Sequence, residues 1–133
     1  MAFKPTRYDS GKVASLLTAS STTIAKGDAL DFSSGYVQRA TSGSTNIEYV
    51  AAEDMVTASA AHKAILCIKT KGVDFIGDTA GSSSQALVGT FIDLTDHDTL
   101  NQAASSTNVF FVENMVGATT DKQVIGHFVE NVA

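Results

Sequence analysis

Short runs of alternating apolar and polar residues, separated by turns, follow one another from Ile24 to the end of the chain. In residues 29–32, for example, Leu30 and Phe32 fall on one face of an extended segment and Asp31 falls on the other. Glycine and serine turns interrupt the runs about every 8–12 residues, and no long stretch repeats with the helical period. This pattern predicts an all-β protein, built as a small β-barrel or sandwich.

The turns set the bounds of the predicted strands. Lys26-Gly27-Asp28 predicts a tight turn because glycine adopts a positive φ without strain, and Ser33-Ser34-Gly35 predicts the turn of a hairpin. A single helical turn is expected at residues 85–87, and a polar connection at 95–101. The predicted strands cover residues 29–32, 36–40, 47–52, 64–71, 73–76, 89–94, 109–113 and 123–129.

Residues 1–22 differ from the rest of the chain. They contain the only proline, Pro5, and show weak periodicity; their three basic residues and one acid give a charge of +2, against −7 for the remainder. Chain termini stay disordered unless something ties them down, and a basic segment with a few apolar anchors suits an acidic partner. We therefore expect an extended N-terminal arm (1–22) that docks on a neighbouring chain, followed by a β-barrel domain (23–133). The residues expected to make that contact are Phe3, Lys4, Arg7, Lys12, Leu16 and Leu17.

Composition narrows the choice of partners. The 133 residues suit one domain, and only 17% of them are charged, below the roughly 25% of a typical soluble domain. Serine and threonine account for 29 residues, so much of the surface costs little to desolvate and suits contact with proteins. A net charge of −5 offers no basic face for nucleic acid. No apolar run approaches the roughly 20 residues of a membrane span, and the chain's start lacks the apolar core of a signal peptide, so we expect no membrane partner and assembly in a cytoplasm-like compartment.

The residues that could carry chemistry do not form a recognisable site. Residues 93–98 hold three carboxylates and His97, but lack the glycine and closing glutamate of an EF-hand loop and a second histidine spaced for zinc. A polar turn is the expected structure there. His62 and His127 are isolated, and Cys67 lies in an apolar run that predicts a buried, passive thiol. We expect no catalytic residue, no cofactor and no metal.

Several motifs in order carry a resemblance to one protein family. The run IAKGDAL at 24–30, followed by SGYVQRA at 34–40, resembles the opening of tailed-bacteriophage head decoration (capsid cement) proteins. In that family a lysine-glycine-aspartate turn leads into a hairpin whose second strand follows a serine-glycine pair. IEYVAAED at 47–54, VGTFIDL at 88–94 and VIGHF at 124–128 resemble the strands that follow, so the similarity spans most of the chain.

The resemblance implies a compact β-barrel of the β-tulip type on the outside of a virion, assembled in the host cytoplasm. It further implies homotrimers that bridge neighbouring major capsid subunits and have no active site. Two other classes remain open: another virion β-protein, such as a tail-tube or head–tail connector subunit, and a small β-barrel module that binds sugar or peptide. Sugar binding is the weaker idea, because the chain has no tryptophan and few tyrosines.

Overall fold

The computed structural model describes residues 3–59 and 61–129, and over those residues the protein is all-β, as the sequence pattern predicts. The described part contains thirteen strands, three short 3-10 helices (Ser10–Lys12, Gln85–Leu87 and Thr119–Asp121) and no α-helix. None of its helices is long or apolar enough to cross a bilayer. The strands are β1 (Lys4–Pro5), β2 (Val13–Leu17), β3 (Thr23–Ile24), β4 (Ala29–Ser33), β5 (Tyr36–Arg39), β6 (Tyr49–Ala51), β7 (Met55–Val56), β8 (Ala64–Lys69), β9 (Phe75–Thr79), β10 (Phe91–Leu94), β11 (Thr99–Asn101), β12 (Phe110–Val116) and β13 (Gln123–Phe128).

Each of the eight predicted strands overlaps an observed strand, and the predicted helical turn is the 3-10 helix Gln85–Leu87. The predicted turns are also confirmed. Gly27 has a φ of 91°, and the β4–β5 hairpin turns through Ser34 (φ 51°) and Gly35 (φ 85°), the left-handed pair that a two-residue hairpin favours. The segment 95–101, expected to be a connection throughout, contains the short strand β11.

A five-stranded antiparallel sheet has the order β2-β8-β6-β4-β5. One of its faces buries a cluster that includes Leu30, Val37, Ile65 and Cys67, which we call the second cluster. The β3–β7 ribbon covers it through Ile24. Just after β2, Thr18 forms a parallel bridge with Val37 of β5. This bridge links the two edges of the five-stranded sheet, since β2 is its first strand and β5 its last.

A six-stranded sheet has the order β1-β9-β11-β10-β12-β13, and β9 pairs with β13 as well. Its interior holds interlocking aromatic rings: the ring of Phe128 lies 4.9 Å from Phe3, 5.5 Å from Phe75 and 5.2 Å from Phe110. The same cluster includes Ile68 of the five-stranded sheet, so the main core lies between the two sheets.

The structure corrects the prediction that residues 1–22 form an arm separate from the domain. Phe3 is 1% exposed within the main core, β1 pairs with β9, and all five residues of β2 pair with β8. Two physical reasons account for this. Pro5 lies in an edge strand, where a missing N–H donor costs little. In residues 13–17 exposure alternates along the chain, with Ala14 and Leu16 turned inwards, as a strand requires. Residues 1–2, 60 and 130–133 of the predicted arm and domain lie outside the described residues.

Candidate interaction surface

Three exposed apolar side chains lie on one face of the five-stranded sheet. Val13 is 37% exposed, Leu17 is 50% exposed and Leu66 is 47% exposed. The register of β2 on β8 pairs Ser15 with Leu66 and Leu17 with Ala64, so these positions share a face. We call Val13, Leu17 and Leu66 the apolar stripe. The residues between them, Ser15 and Ala64, are exposed and uncharged, so a partner can desolvate this surface at low cost.

The stripe is the uncovered end of a face that is buried further along the sheet. Val13 pairs with Ile68, which lies two residues beyond Leu66 on the same face and is buried against the six-stranded sheet. The other face of β2 turns Leu16 towards the second cluster. The six-stranded sheet covers only part of the shared face, and the apolar stripe remains in contact with solvent.

The apolar residues predicted to contact a partner therefore differ in their exposure to solvent. Leu17 is available on the stripe, whereas Leu16 is half-buried against the second cluster. Phe3 is inside the core, where its backbone N–H also donates to the carbonyl of Gly27 at 2.9 Å, and it cannot touch a partner. Sequence reasoning missed Leu66, since nothing in the apolar run 64–68 shows which residues face outwards.

Two of the three predicted basic residues, Arg7 and Lys12, lie together near the start of β2. Lys4 and Arg7 are exposed, and Lys12 donates from Nζ to the carbonyl oxygen of Lys71 at 2.8 Å. Arg7 and Lys12 line a depression together with the acidic Asp9 and the exposed ring of Tyr8. Two basic residues and one acid thus lie near the Val13 end of the apolar stripe, on a chain whose net charge is negative.

The three histidines have three different environments. His62 stacks on the ring of Tyr36 with centroids 3.8 Å apart. Nδ1 of His97 lies 3.0 Å from Oδ1 of Asp28, and Nδ1 of His127 lies 3.0 Å from Oε1 of Glu113. The fold does not gather the imidazoles into one site.

Cys67 is fully buried in the second cluster, as predicted. Burial raises the pKa of its thiol to about 12, and the nearby charge of Glu53 acts in the same direction. The Sγ atom donates to the carbonyl of Ile65 at 3.6 Å. A thiolate is disfavoured in these surroundings, which suits a packing role.

The polar side chains of the acidic segment 93–98 bond to three different parts of the structure. The buried carboxylate of Asp93 accepts the backbone N–H groups of Ser106 (2.8 Å), Thr107 (2.9 Å) and Asn108 (2.8 Å). Burial disfavours its charge, but these donors outweigh burial and hold the pKa of Asp93 below its ordinary value. Asp93 thereby fixes the loop before β12.

The rest of that segment forms a polar turn, as predicted. The backbone N–H of Thr95 donates to the carbonyl of Thr99 at 2.8 Å, and the N–H of Asp98 donates to Oδ1 of Asp96 at 3.0 Å. The side chain of His97 extends away from the turn to Asp28, the residue before β4 of the five-stranded sheet. No local pattern signals that long-range contact, because its two residues lie 69 positions apart.

Comparisons with other proteins return no relative. No family model matches the sequence, and neither the curated proteins nor the solved structures include a match to it.

Proposed function

We propose that this chain is a structural virion protein that binds the outer surface of a tailed-bacteriophage capsid and cements neighbouring major capsid subunits. Its partners in this proposal are the major capsid protein and further copies of itself, arranged as a homotrimer. No nucleic acid, membrane, cofactor or catalytic step enters the proposal.

The observation that carries the proposal is the ordered series of motifs between residues 24 and 128, which resembles that of capsid decoration proteins. The places of the motifs in the fold support it. The lysine-glycine-aspartate motif makes the turn before β4, and the serine-glycine pair makes the β4–β5 turn. Residues 88–94 lead into and form β10, and residues 124–128 lie in β13.

A compact β-barrel of the β-tulip type is the finer architecture that we propose. The strand pairings support it, because they return on themselves. In the six-stranded sheet they run from β9 through β11, β10, β12 and β13 back to β9. In the five-stranded sheet the bridge between Thr18 and Val37 links the end of β2 to β5.

The apolar stripe is the surface that we propose for the capsid contact. Neighbouring exposed apolar side chains on one face of a sheet are the kind of surface at which a partner binds. Near the Val13 end of the stripe, Arg7 and Lys12 outnumber Asp9, which suits an acidic partner surface. A standard specific interface buries roughly 1,600 Å² in total, so the capsid contact would extend beyond these three side chains. Repetition over a shell makes modest contacts effective in sum.

Binding to capsids tests the proposal. Purified expanded shells of a tailed-bacteriophage major capsid protein are mixed with the protein and sedimented. We expect saturable co-sedimentation, with a fixed number of copies per capsid subunit. Absence of binding at micromolar concentrations would overturn the proposal.

A matched pair of variants tests the surface. Leu17→Thr and Leu66→Thr, combined, remove apolar area from the stripe and are expected to weaken capsid binding by about tenfold or more. Val56→Thr makes the same kind of change at an exposed residue of β7, outside the stripe, and is expected to bind as the original chain does. Equal binding by both variants would place the contact elsewhere.

A further inference from the structure

Three side chains with ionisable groups lie together on the outer side of the six-stranded sheet. They belong to Asp74, Glu113 and His127, which we call the acid–histidine cluster. Their oxygen and nitrogen atoms lie within 4.8 Å of one another, with Nδ1 of His127 and Oε1 of Glu113 only 3.0 Å apart. The three residues come from separate segments of the chain, so no local sequence motif predicts the cluster.

The strand register holds these side chains together. Gly126 of β13 pairs with Val112 on one side and with Phe75 on the other. The next residue of β13 is His127, and the residue before Phe75 is Asp74. The register shifts between Val112 and Asn114, so Glu113 is the extra residue of a β-bulge.

Close approach of the strands at this point depends on a glycine. A side chain at Gly126 would collide with the backbone carbonyl of Phe111. The cluster therefore rests on a tightly paired part of the sheet and not on a loop, which favours a fixed arrangement of donor atoms.

The two carboxyl groups of the cluster interact directly. A hydrogen bond to Glu113, reinforced by burial and by the charge of Glu113, raises the pKa of Asp74. Hydrogen bonds from His127 and Asp74 lower the pKa of Glu113.

We propose that Asp74, Glu113 and His127 form a binding site for a divalent transition-metal ion, with Zn²⁺ as the best fit. One imidazole nitrogen and two carboxylate oxygens are a donor set that zinc accepts, whereas Ca²⁺ and Mg²⁺ prefer oxygen alone. Neighbouring ligands of a tetrahedral zinc ion with bonds of about 2.0–2.2 Å lie about 3.3–3.6 Å apart. The 3.0 Å between Nδ1 and Oε1 is within a small side-chain rotation of that separation.

The other His–carboxylate group of the described residues fits a cation less well. Asp28, His97 and Asp98 also lie close together. The Asp28 carboxylate, however, already accepts from the Arg39 guanidinium at 2.8 Å. That fixed positive charge repels a metal ion, so the two clusters should behave differently.

Zinc titration of the full chain tests the site. After treatment with a chelator and its removal, ZnCl₂ is added while calorimetry measures binding and NMR follows the histidine rings. We expect one equivalent to bind with micromolar affinity and to shift the ring signals of His127, leaving those of His62 and His97 in place. Absence of binding below about 1 mM zinc, a concentration too high for a specific site, would overturn the proposal. So would a titration that shifts His62 or His97 instead.

Variants provide the second test. His127→Gln and Glu113→Gln should each weaken zinc binding by about tenfold or more, the scale expected for a disturbed metal site. His62→Gln is the control, because His62 lies outside the cluster, and it should bind zinc as the original chain does. Unchanged binding by folded His127→Gln would contradict the assignment. If a variant fails to fold, the NMR titration of the original chain still decides the question.

Discussion

His97 donates from Nδ1 to Oδ1 of Asp28 at 3.0 Å, across the junction between the two sheets. Asp28 immediately precedes β4 of the five-stranded sheet, and His97 lies between β10 and β11 of the six-stranded sheet. A backbone hydrogen bond runs the other way, from the N–H of Ala29 to the carbonyl of His97 at 2.7 Å. The buried carboxylate is thus a fixed point at which the two sheets are joined.

Removing the charge of Asp28 should weaken the whole fold. The side chain is 1% exposed and also accepts from the N–H of Ala25 and from Nε of Arg39, both at 2.8 Å. In Asp28→Asn an NH₂ group replaces one acceptor and leaves a donor without a partner. We expect a loss of about 2–3 kcal/mol in the free energy of unfolding, measured by urea denaturation. Glu48→Gln, at an exposed position, should change it by less than about 0.5 kcal/mol; equal effects would contradict the role of Asp28.

The N-terminal segment should be required for folding. Phe3→Ala removes a ring from the main core and is expected to cost about 3–5 kcal/mol, by the scale of buried aromatic truncations. Tyr8→Ala, at an exposed ring of the same segment, should cost less than about 1 kcal/mol. Deletion of residues 1–20 also removes β2 and should leave a chain without a cooperative thermal transition. A truncated chain that melts as the full chain does would restore the idea of a separate arm.

Asp93 should make stability depend on acid pH. Its pKa is lowered in the folded protein from an ordinary value of 3.8. The contribution of the Asp93 carboxylate to the free energy of unfolding is therefore complete above about pH 5, and it is lost as the pH falls through the folded-state pKa. Asp93→Asn should lower the free energy of unfolding at pH 7 by about 1–3 kcal/mol, and the difference from the original chain should shrink below pH 4. Urea denaturation between pH 3 and pH 7 measures this, and a difference that grows in acid would contradict it.

Cys67 should be unreactive in the native state. A buried thiol with a pKa of about 12 has almost no thiolate at neutral pH. Labelling by a bulky disulfide reagent should therefore be slow until urea unfolds the chain, and Cys67→Ala should cost on the order of 1 kcal/mol. Rapid labelling without denaturant would show that the second cluster is open to solvent.

Much of the fold follows from local signals in the sequence. The turns at Gly27 and at Ser34-Gly35, the 3-10 helix at 85–87 and the positions of eight strands were predictable, because glycine tolerance of positive φ and strand alternation act over a few residues. The burial of Cys67 followed from its apolar neighbours. These are the features in which the chain's local preferences and its tertiary structure agree.

The rest depended on contacts between distant residues. Phe3 looks like an isolated anchor in the sequence, and only the pairing of β1 with β9 brings it into the core. In the sequence, Leu66 does not differ from the other residues of an apolar strand. Only the register of β2 on β8 shows that it shares an exposed face with Val13 and Leu17. The acid–histidine cluster is a product of three-strand register and a bulge. Properties of this kind cannot be derived from a single sequence by periodicity.

Imaging of decorated shells tests the proposed function most directly. Expanded shells of a tailed-bacteriophage major capsid protein are mixed with the protein at the lowest concentration that saturates them and reconstructed by electron cryomicroscopy. We predict ordered trimers on the outer surface at local threefold positions, with Leu17 and Leu66 of each copy against a capsid subunit. The Leu17→Thr, Leu66→Thr variant at the same concentration should give clearly lower occupancy at those positions. Shells that remain bare at saturating protein would contradict the proposed cement function.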